Sequence, residues 1–262
     1  MMLRNVFLKT LHDQTRMYLW WALGFVVTSL IYVASYKTYA DTGMLDMELP
    51  ESLGILMGAM DFATPDGYLN TVYFSLIGAV LTVIFSVVIG ARAIAGDEES
   101  GMLDLFLAYP VSRTSFLLQR FAALVAGIVL MGGVIFVAIT VSAGISEMGI
   151  PLGNILAACT ALVLMDIVFG TAALCIGALT GRGSMALGIT AALAVAAFLA
   201  NNLGPMFEGI ESVQKLSPFY YYLDGYPLRN GFDLGGIIVL CAIALALLAV
   251  AWWGINRRDL AV

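Results

Sequence analysis

The sequence has little charge and few residues of the types that bind metals, phosphates or nucleic acids. Only 11% of its 262 residues are charged, and lysine and arginine together number 12. Soluble domains carry about 25% charged residues, and nucleic-acid binding draws on clustered basic side chains. With a net charge of −6, these shortages exclude a water-soluble globule and a nucleic-acid-binding protein.

Lysine is scarce enough to exclude a phosphate-binding loop. Such a loop needs the pattern Gly-x-x-x-x-Gly-Lys, in which backbone amides cradle the phosphates and the lysine reaches the terminal one. The three lysines follow leucine, tyrosine and glutamine, never glycine; they are Lys9, Lys37 and Lys215. We therefore expect this chain to have no ATP site of its own and not to hydrolyse ATP alone.

Cysteine and histidine are also rare. The three cysteines, Cys159, Cys175 and Cys241, lie inside apolar runs without a Cys-x-x-Cys spacing, and His12 is the single histidine. This pattern predicts neither a disulfide framework nor a metal site, and we expect no cofactor bound by this chain.

Apolar residues make up 61% of the sequence, and the mean hydropathy is +0.95. Crossing a bilayer takes about 20 apolar residues in a helix. The runs long enough to do so predict an all-α membrane protein with one transmembrane domain over residues 1–262. The six predicted spans are 17–36, 72–94, 116–142, 155–179, 185–203 and 234–253.

The basic residues predict the orientation, because short loops rich in lysine and arginine stay in the cytoplasm. Six crossings put nine basic residues on one side, and only Lys37, Lys215 and Arg229 on the other. We expect both termini to be cytoplasmic, in the plasma membrane of a prokaryote.

The segment 1–16 precedes the first span and contains Leu3, Phe7 and Leu11 at intervals of four residues. This spacing puts them on one face of a helix and predicts a helix in the cytoplasmic headgroup layer. A simple helical extension of the first span is the alternative.

The loop at 97–113 predicts a short amphipathic helix. Three acids, Asp97, Glu98 and Glu99, stand where they favour the positive end of a helix dipole, and Pro110 ends the helix. The apolar face repeats at helical spacing, as Met102, Leu105, Phe106 and Tyr109. Since an anionic lipid surface attracts basic residues, a protein partner explains this acidic loop better than lipid does.

This loop resembles the signature of type 2 ATP-binding-cassette (ABC) exporter permeases, which reads as an acidic pair, Gly-Thr-Leu, a few apolar residues and Pro-Val-Ser-Arg. Met102 stands where the family commonly has threonine, and the element Leu216-Ser217-Pro218 is similar to one in the family's outer segment. The residues that match the loop signature are Glu98, Glu99, Gly101, Leu103, Pro110, Val111, Ser112 and Arg113.

The resemblance implies a permease subunit that exports a solute with energy from ATP and Mg²⁺ bound on a separate ATPase. Two ATP-binding subunits and a second permease chain, identical or related, are the implied partners, all within membrane lipid. The implied coupling residues are Asp97, Glu98, Glu99, Gly101, Met102, Leu103, Leu105, Phe106, Pro110 and Arg113. The mostly apolar spans favour an amphipathic or hydrophobic cargo.

Asp166 is the one clear charge in the middle of a predicted span. Ionisable residues in hydrocarbon are costly and mark pathways, so Asp166 is a candidate for the translocation path. The alternatives are a structural carboxyl, or ion coupling in a secondary transporter, which is the alternative function. A membrane-embedded enzyme is disfavoured, because no nucleophile–base pair or metal cluster is recognisable.

The segment 204–233 is rich in aromatic residues and predicts an outer helical segment before the last span. Phe219, Tyr220, Tyr221 and Tyr222 form its densest part. We interpret them as a candidate outer gate, with an ordinary aromatic belt at the membrane interface as the alternative.

Overall fold

The computed structural model describes residues 6–42, 64–96, 112–203 and 214–257, and every regular element in these ranges is helical. Six helices are long and apolar enough to cross a membrane, which confirms the predicted all-α membrane fold with six spans. Spans 1 to 6 are Thr15–Asp41, Pro65–Arg92, Arg113–Ile145, Leu152–Thr180, Gly183–Leu203 and Leu234–Arg257.

Successive spans run in opposite directions, so the bundle has two distinct ends. Thr114 near the start of span 3 contacts Trp252 near the finish of span 6, and we call this end, with the N-terminal helix, the terminal end. Ser146 after span 3 donates a hydrogen bond to the carbonyl of Val33 in span 1 at the opposite, far end.

Span 4 lies at the centre of the bundle and packs against spans 2, 3, 5 and 6. The closest approach is to span 2, where a methyl group added to Gly90 would overlap the carbonyl oxygen of Gly170. Small residues let helices in lipid pack closely, so this glycine pair fixes the distance between spans 2 and 4.

The spans extend beyond the predicted apolar runs at most ends, and span 2 differs most. The helix begins at Pro65, seven residues before the predicted start at 72, because Thr64 caps it by accepting a hydrogen bond from the amide of Gly67. Residues Asn70–Ile77 then form a π-helix, followed by the α-helix Gly78–Arg92. The wider π-turn was not predicted from the sequence.

The N-terminal helix, Val6–Asp13, packs against span 3. Val6 and Thr10 are its buried residues, whereas Phe7 and Leu11 are partly buried. The side that faces span 3 therefore includes polar Thr10, which has a partner there.

Two short helices precede span 6: the first outer helix, Pro218–Leu223, and the second outer helix, Pro227–Asn230. Asn154 at the far end of span 4 donates hydrogen bonds to the carbonyls of Leu228 and Arg229. The second outer helix is therefore fastened to the bundle.

The predicted coupling segment lies largely outside the described residues. Its members that are not described are Asp97, Glu98, Glu99, Gly101, Met102, Leu103, Leu105, Phe106 and Pro110. The first part of the predicted outer segment, 204–213, also lies outside the described residues. Arg113 of the coupling segment is described, as the first residue of span 3.

Candidate functional site

A group of polar side chains is buried in the apolar middle of the bundle. We call it the central polar cluster; it comprises Ser29, Tyr73, Thr82, Cys159, Asp166 and Tyr222. Spans 1, 2 and 4 and the first outer helix each contribute to it. Burying polar groups in hydrocarbon is costly unless they find partners, so these contacts hold the four elements together.

Asp166 stands midway along span 4, and its side chain is buried with 3% of the residue's surface exposed. A hydrogen bond links its carboxyl to the hydroxyl of Thr82 in span 2. Within the described part of the chain, its Oδ1 atom has no hydrogen-bond partner. The predicted mid-span position is thus observed, and half of the carboxyl is left unsatisfied.

Two tyrosines frame this carboxyl. Tyr73 accepts a hydrogen bond from the Ser29 hydroxyl of span 1 at 2.9 Å, and the Tyr222 hydroxyl donates to the carbonyl of Phe74 at 3.0 Å. Both tyrosine hydroxyls interact electrostatically with Asp166. Tyr73 and Phe74 belong to the π-helix, and such distortions recur at functional sites.

The four candidate gate residues share one short helix but have different surroundings. Phe219 and Tyr222 are buried, whereas Tyr220 and Tyr221 are partly exposed. Burial raises the pKa of Tyr222 well above its ordinary value, so its hydroxyl keeps the proton that it donates to Phe74. The first outer helix therefore reaches the central polar cluster through Tyr222.

Ser217 joins this outer helix to span 5. Its hydroxyl donates to the carbonyl of Ala197 at 2.8 Å and accepts from the amide of Phe219 at 3.1 Å. One side chain thus caps the helix and bonds it to a neighbouring span.

An apolar cleft between spans 2 and 5 opens toward the side of the bundle. Its volume is about 250 Å³. The walls carry only apolar residues, among them Val83, Val87, Leu187, Ala194, Phe198 and Phe219. Phe219 therefore lines the cleft, and its ring contacts Phe169 of span 4 and Phe198 of span 5.

The terminal end contains a second cluster, which joins both sides of the predicted coupling segment. Ala93 and Ile94 precede the segment, Phe116 and Leu117 follow it, and all four are buried in one apolar cluster. We call this the terminal cluster; its other members are Val6, Leu174, Cys175, Ala178, Ala251 and Ile255. Four spans and the N-terminal helix thus meet at the two flanks of the segment.

Hydrogen bonds fasten the start of span 3 within this end. Arg113 donates to the carbonyl of Ile255 at 3.3 Å, and Trp252 donates to the Thr114 hydroxyl at 3.0 Å. Deeper in span 3, the buried Arg120 donates to Thr10 of the N-terminal helix at 2.7 Å. Span 3 is therefore tied to both span 6 and the N-terminal helix.

Ion pairs lie at the far end. Lys37 and Glu147 are 3.3 Å apart, and Arg229 contacts Asp66 at 2.7 Å. The second pair joins the second outer helix to the first turn of span 2. The described residues hold no group of three or more histidine, cysteine, aspartate or glutamate side chains that could bind a metal.

Sequence reasoning identified Asp166 and Tyr222 but missed Ser29, Tyr73 and Thr82 as their neighbours. Each lies in an apolar run, and such isolated hydroxyl residues are common in membrane helices. The available signal was their polarity within a span, but pairing them required the packing of spans 1, 2 and 4.

Six helices that are long and apolar enough to cross a membrane define a multi-pass membrane protein among the described residues. The family described as "Multidrug efflux system permease Rv1217c, C-terminal domain" matches residues 4–255. The chain therefore belongs to this family of efflux permeases. No curated protein matches the chain at a significant level.

Proposed function

We propose that this chain is the transmembrane subunit of a type 2 ABC exporter, which moves an amphipathic or hydrophobic solute outward. A separate ATP-binding subunit, present twice, would hold ATP and Mg²⁺ and supply the energy. Two six-span permease units, from identical or related chains, would enclose the pathway. Membership of a multidrug efflux permease family supports the transport role.

The observation that carries the proposal is the acidic Pro-Val-Ser-Arg signature at 97–113, whose two flanks join in the terminal cluster. A partner that pushes on this segment would act on spans 2 and 3 together. Because span 6 and the N-terminal helix are hydrogen-bonded to span 3, the displacement would reach most of the terminal end. Rigid elements that shift as units are how small displacements become large conformational changes.

The predicted orientation in the membrane agrees with this role. An ATP-binding subunit works in the cytoplasm, and the excess of basic residues predicts that the terminal end faces the cytoplasm. Asp66, Arg229 and the outer helices would then lie on the outside, where Phe219, Tyr220, Tyr221 and Tyr222 would form the outer gate.

A secondary transporter is the second candidate, and Asp166 is the observation that favours it. An ionisable group buried at mid-span suits coupling to an ion. The two candidates differ in one requirement, because only the exporter needs an ATPase partner.

Purification of the tagged permease from gently solubilised native membranes, followed by an ATPase assay, tests the proposal. We expect an ATP-binding subunit to co-purify. Replacing Glu98 and Glu99 by alanine should abolish co-purification or lower ATP turnover about tenfold or more, since charged contacts at interfaces each contribute strongly. The matched control is Glu208→Ala with Glu211→Ala, an acidic pair in the loop predicted on the opposite side.

Loss of the partner with the Glu98 and Glu99 changes, but not with the control pair, supports the coupling role. Equal ATPase activity in both double variants would refute it. Purification of the permease without any ATPase from gently solubilised native membranes would favour the secondary transporter.

A further inference from the structure

Asp166 lacks the partner that a buried carboxylate requires. Thr82 satisfies one side of the carboxyl, whereas Oδ1 is buried without a hydrogen bond among the described residues. An isolated charge in hydrocarbon is stabilised only by pairing with an opposite charge or by neutralisation. The buried Oδ1 atom therefore requires either a proton or the positive charge of a ligand.

The ionisable groups that act on this site are Tyr73, Tyr222 and Cys159, and none of them carries a positive charge. The basic residues of the described spans lie toward helix ends, as Arg92 and Arg113 do. Arg120, which is buried, is occupied near the terminal end by Thr10 and lies over the ring of Phe116. Among the described spans, no basic side chain therefore lies at the depth of Asp166.

Two tyrosines belong to the same cluster as the carboxyl, and an aromatic pair follows about one helical turn along span 4. Tyr73 and Tyr222 belong to the same cluster, and Phe169 follows Asp166 by about one helical turn. Phe169 lies 5.5 Å from Phe219, measured between ring centroids. A carboxylate among aromatic residues is a combination that recognises organic cations, which rings attract through their negative faces.

An apolar cleft leads from the surface of the bundle toward this carboxyl. The apolar cleft between spans 2 and 5 is walled by Val83, which follows Thr82 in the chain, and by Phe219. The Phe219 ring contacts Phe198 of span 5 on one side and Phe169 of span 4 on the other, each at 5.5 Å. One aromatic ring and one helical turn thus separate the cleft from Asp166.

We propose that Asp166, Tyr73 and Tyr222 form a binding site for the charged head of a lipophilic organic cation that arrives through the cleft. The apolar body of the ligand would occupy the cleft, and displacement of the Phe219 ring would admit the cation to the carboxylate. The described conformation is the closed one, since Asp166 is buried. This inference rests on the permease role and specifies the substrate class.

Binding of tetraphenylphosphonium to the purified permease, measured by equilibrium dialysis without ATP, tests the site. We expect Asp166→Asn to weaken binding about tenfold or more, because the attraction between the carboxylate and the cation is lost. Asp166→Glu, which keeps the charge, should retain binding, and Asp224→Asn, which removes an exposed acid, is the matched control. Triphenylphosphine oxide, a similar but uncharged probe, should bind the wild type and Asp166→Asn equally.

A second variant tests the route independently of the carboxyl. Ala194→Trp fills the cleft and should weaken tetraphenylphosphonium binding, whereas Leu245→Trp, on an exposed face of span 6, should not. Unchanged binding of the cation to folded Asp166→Asn overturns the proposal, as does equal weakening for the uncharged probe. Asp166-dependent binding by a permease that has no ATPase partner would uphold the site while refuting the ABC exporter role.

Discussion

Gly90 and Gly170 show how one absent methyl group sets the distance between two spans. A Cβ atom at Gly90 would overlap the carbonyl oxygen of Gly170 and also meet Ala173. Backbone atoms of a buried helix cannot turn aside as a flexible side chain can. The whole of span 2 would have to shift.

We therefore expect Gly90→Ala to destabilise the permease by about 1–3 kcal/mol, the usual cost of overpacking a core. Thermal unfolding of the purified protein in detergent measures this change. Gly24→Ala is the matched control, since a Cβ at Gly24 has nothing within 4 Å. Equal midpoints for the two variants would show that spans 2 and 4 are not in the described contact.

Tyr222 tests the link between the first outer helix and the π-helix. Tyr222→Phe removes the donor to the Phe74 carbonyl and keeps the ring, so we expect a loss of about 1 kcal/mol in unfolding free energy. Tyr226→Phe, at a residue that is 40% exposed, should change it little. Denaturation followed by intrinsic fluorescence provides the comparison, and no difference between the variants would contradict the bond.

At the scale of elements, apolar length predicted which segments form spans but not where each helix begins. Span 2 illustrates both outcomes. Its early start was readable, since Thr64, Pro65 and Asp66 form a typical helix beginning, yet they lie outside the apolar run. The π-helix was not readable, because the donor to its Phe74 carbonyl, the Tyr222 hydroxyl, lies 148 residues away in sequence.

The N-terminal helix shows the same dependence on distant partners. Spacing predicted a helix, and one is present at Val6–Asp13. Its buried side depends on Arg120 and Gln119 of span 3, which contact Thr10 and the amide of Phe7. A local pattern cannot encode that choice of side.

Removal of the Thr10 hydroxyl should therefore loosen this helix. We expect Thr10→Val to speed hydrogen exchange of the amides in Val6–Asp13 several-fold, because the acceptor for buried Arg120 is lost and local opening costs less. Thr28→Val is the control. The Thr10 hydroxyl donates to the carbonyl of Val6, four residues back, and the Thr28 hydroxyl donates in the same way to the carbonyl of Gly24, on an exposed face. Unchanged exchange at Val6–Asp13 would show that other contacts hold the helix.

For the whole molecule, the orientation in the membrane decides which end of the bundle a cytoplasmic ATPase can reach. The basic residues predict that the terminal end does. Glu147 lies at the far end, paired with Lys37, and Asn256 lies at the terminal end near the last turn of span 6. Both positions are exposed, so each can carry a cysteine that reagents reach.

In a chain whose three native cysteines are replaced by alanine, we expect Glu147→Cys to react with a membrane-impermeant maleimide on intact cells. Asn256→Cys should react only after the membrane is permeabilised, because a helix of 24 residues is about 36 Å long and crosses the roughly 30 Å hydrocarbon core. The opposite labelling pattern would invert the bundle. An ATPase in the cytoplasm could not then reach the segment 97–113, and the ABC exporter role would fail with the orientation.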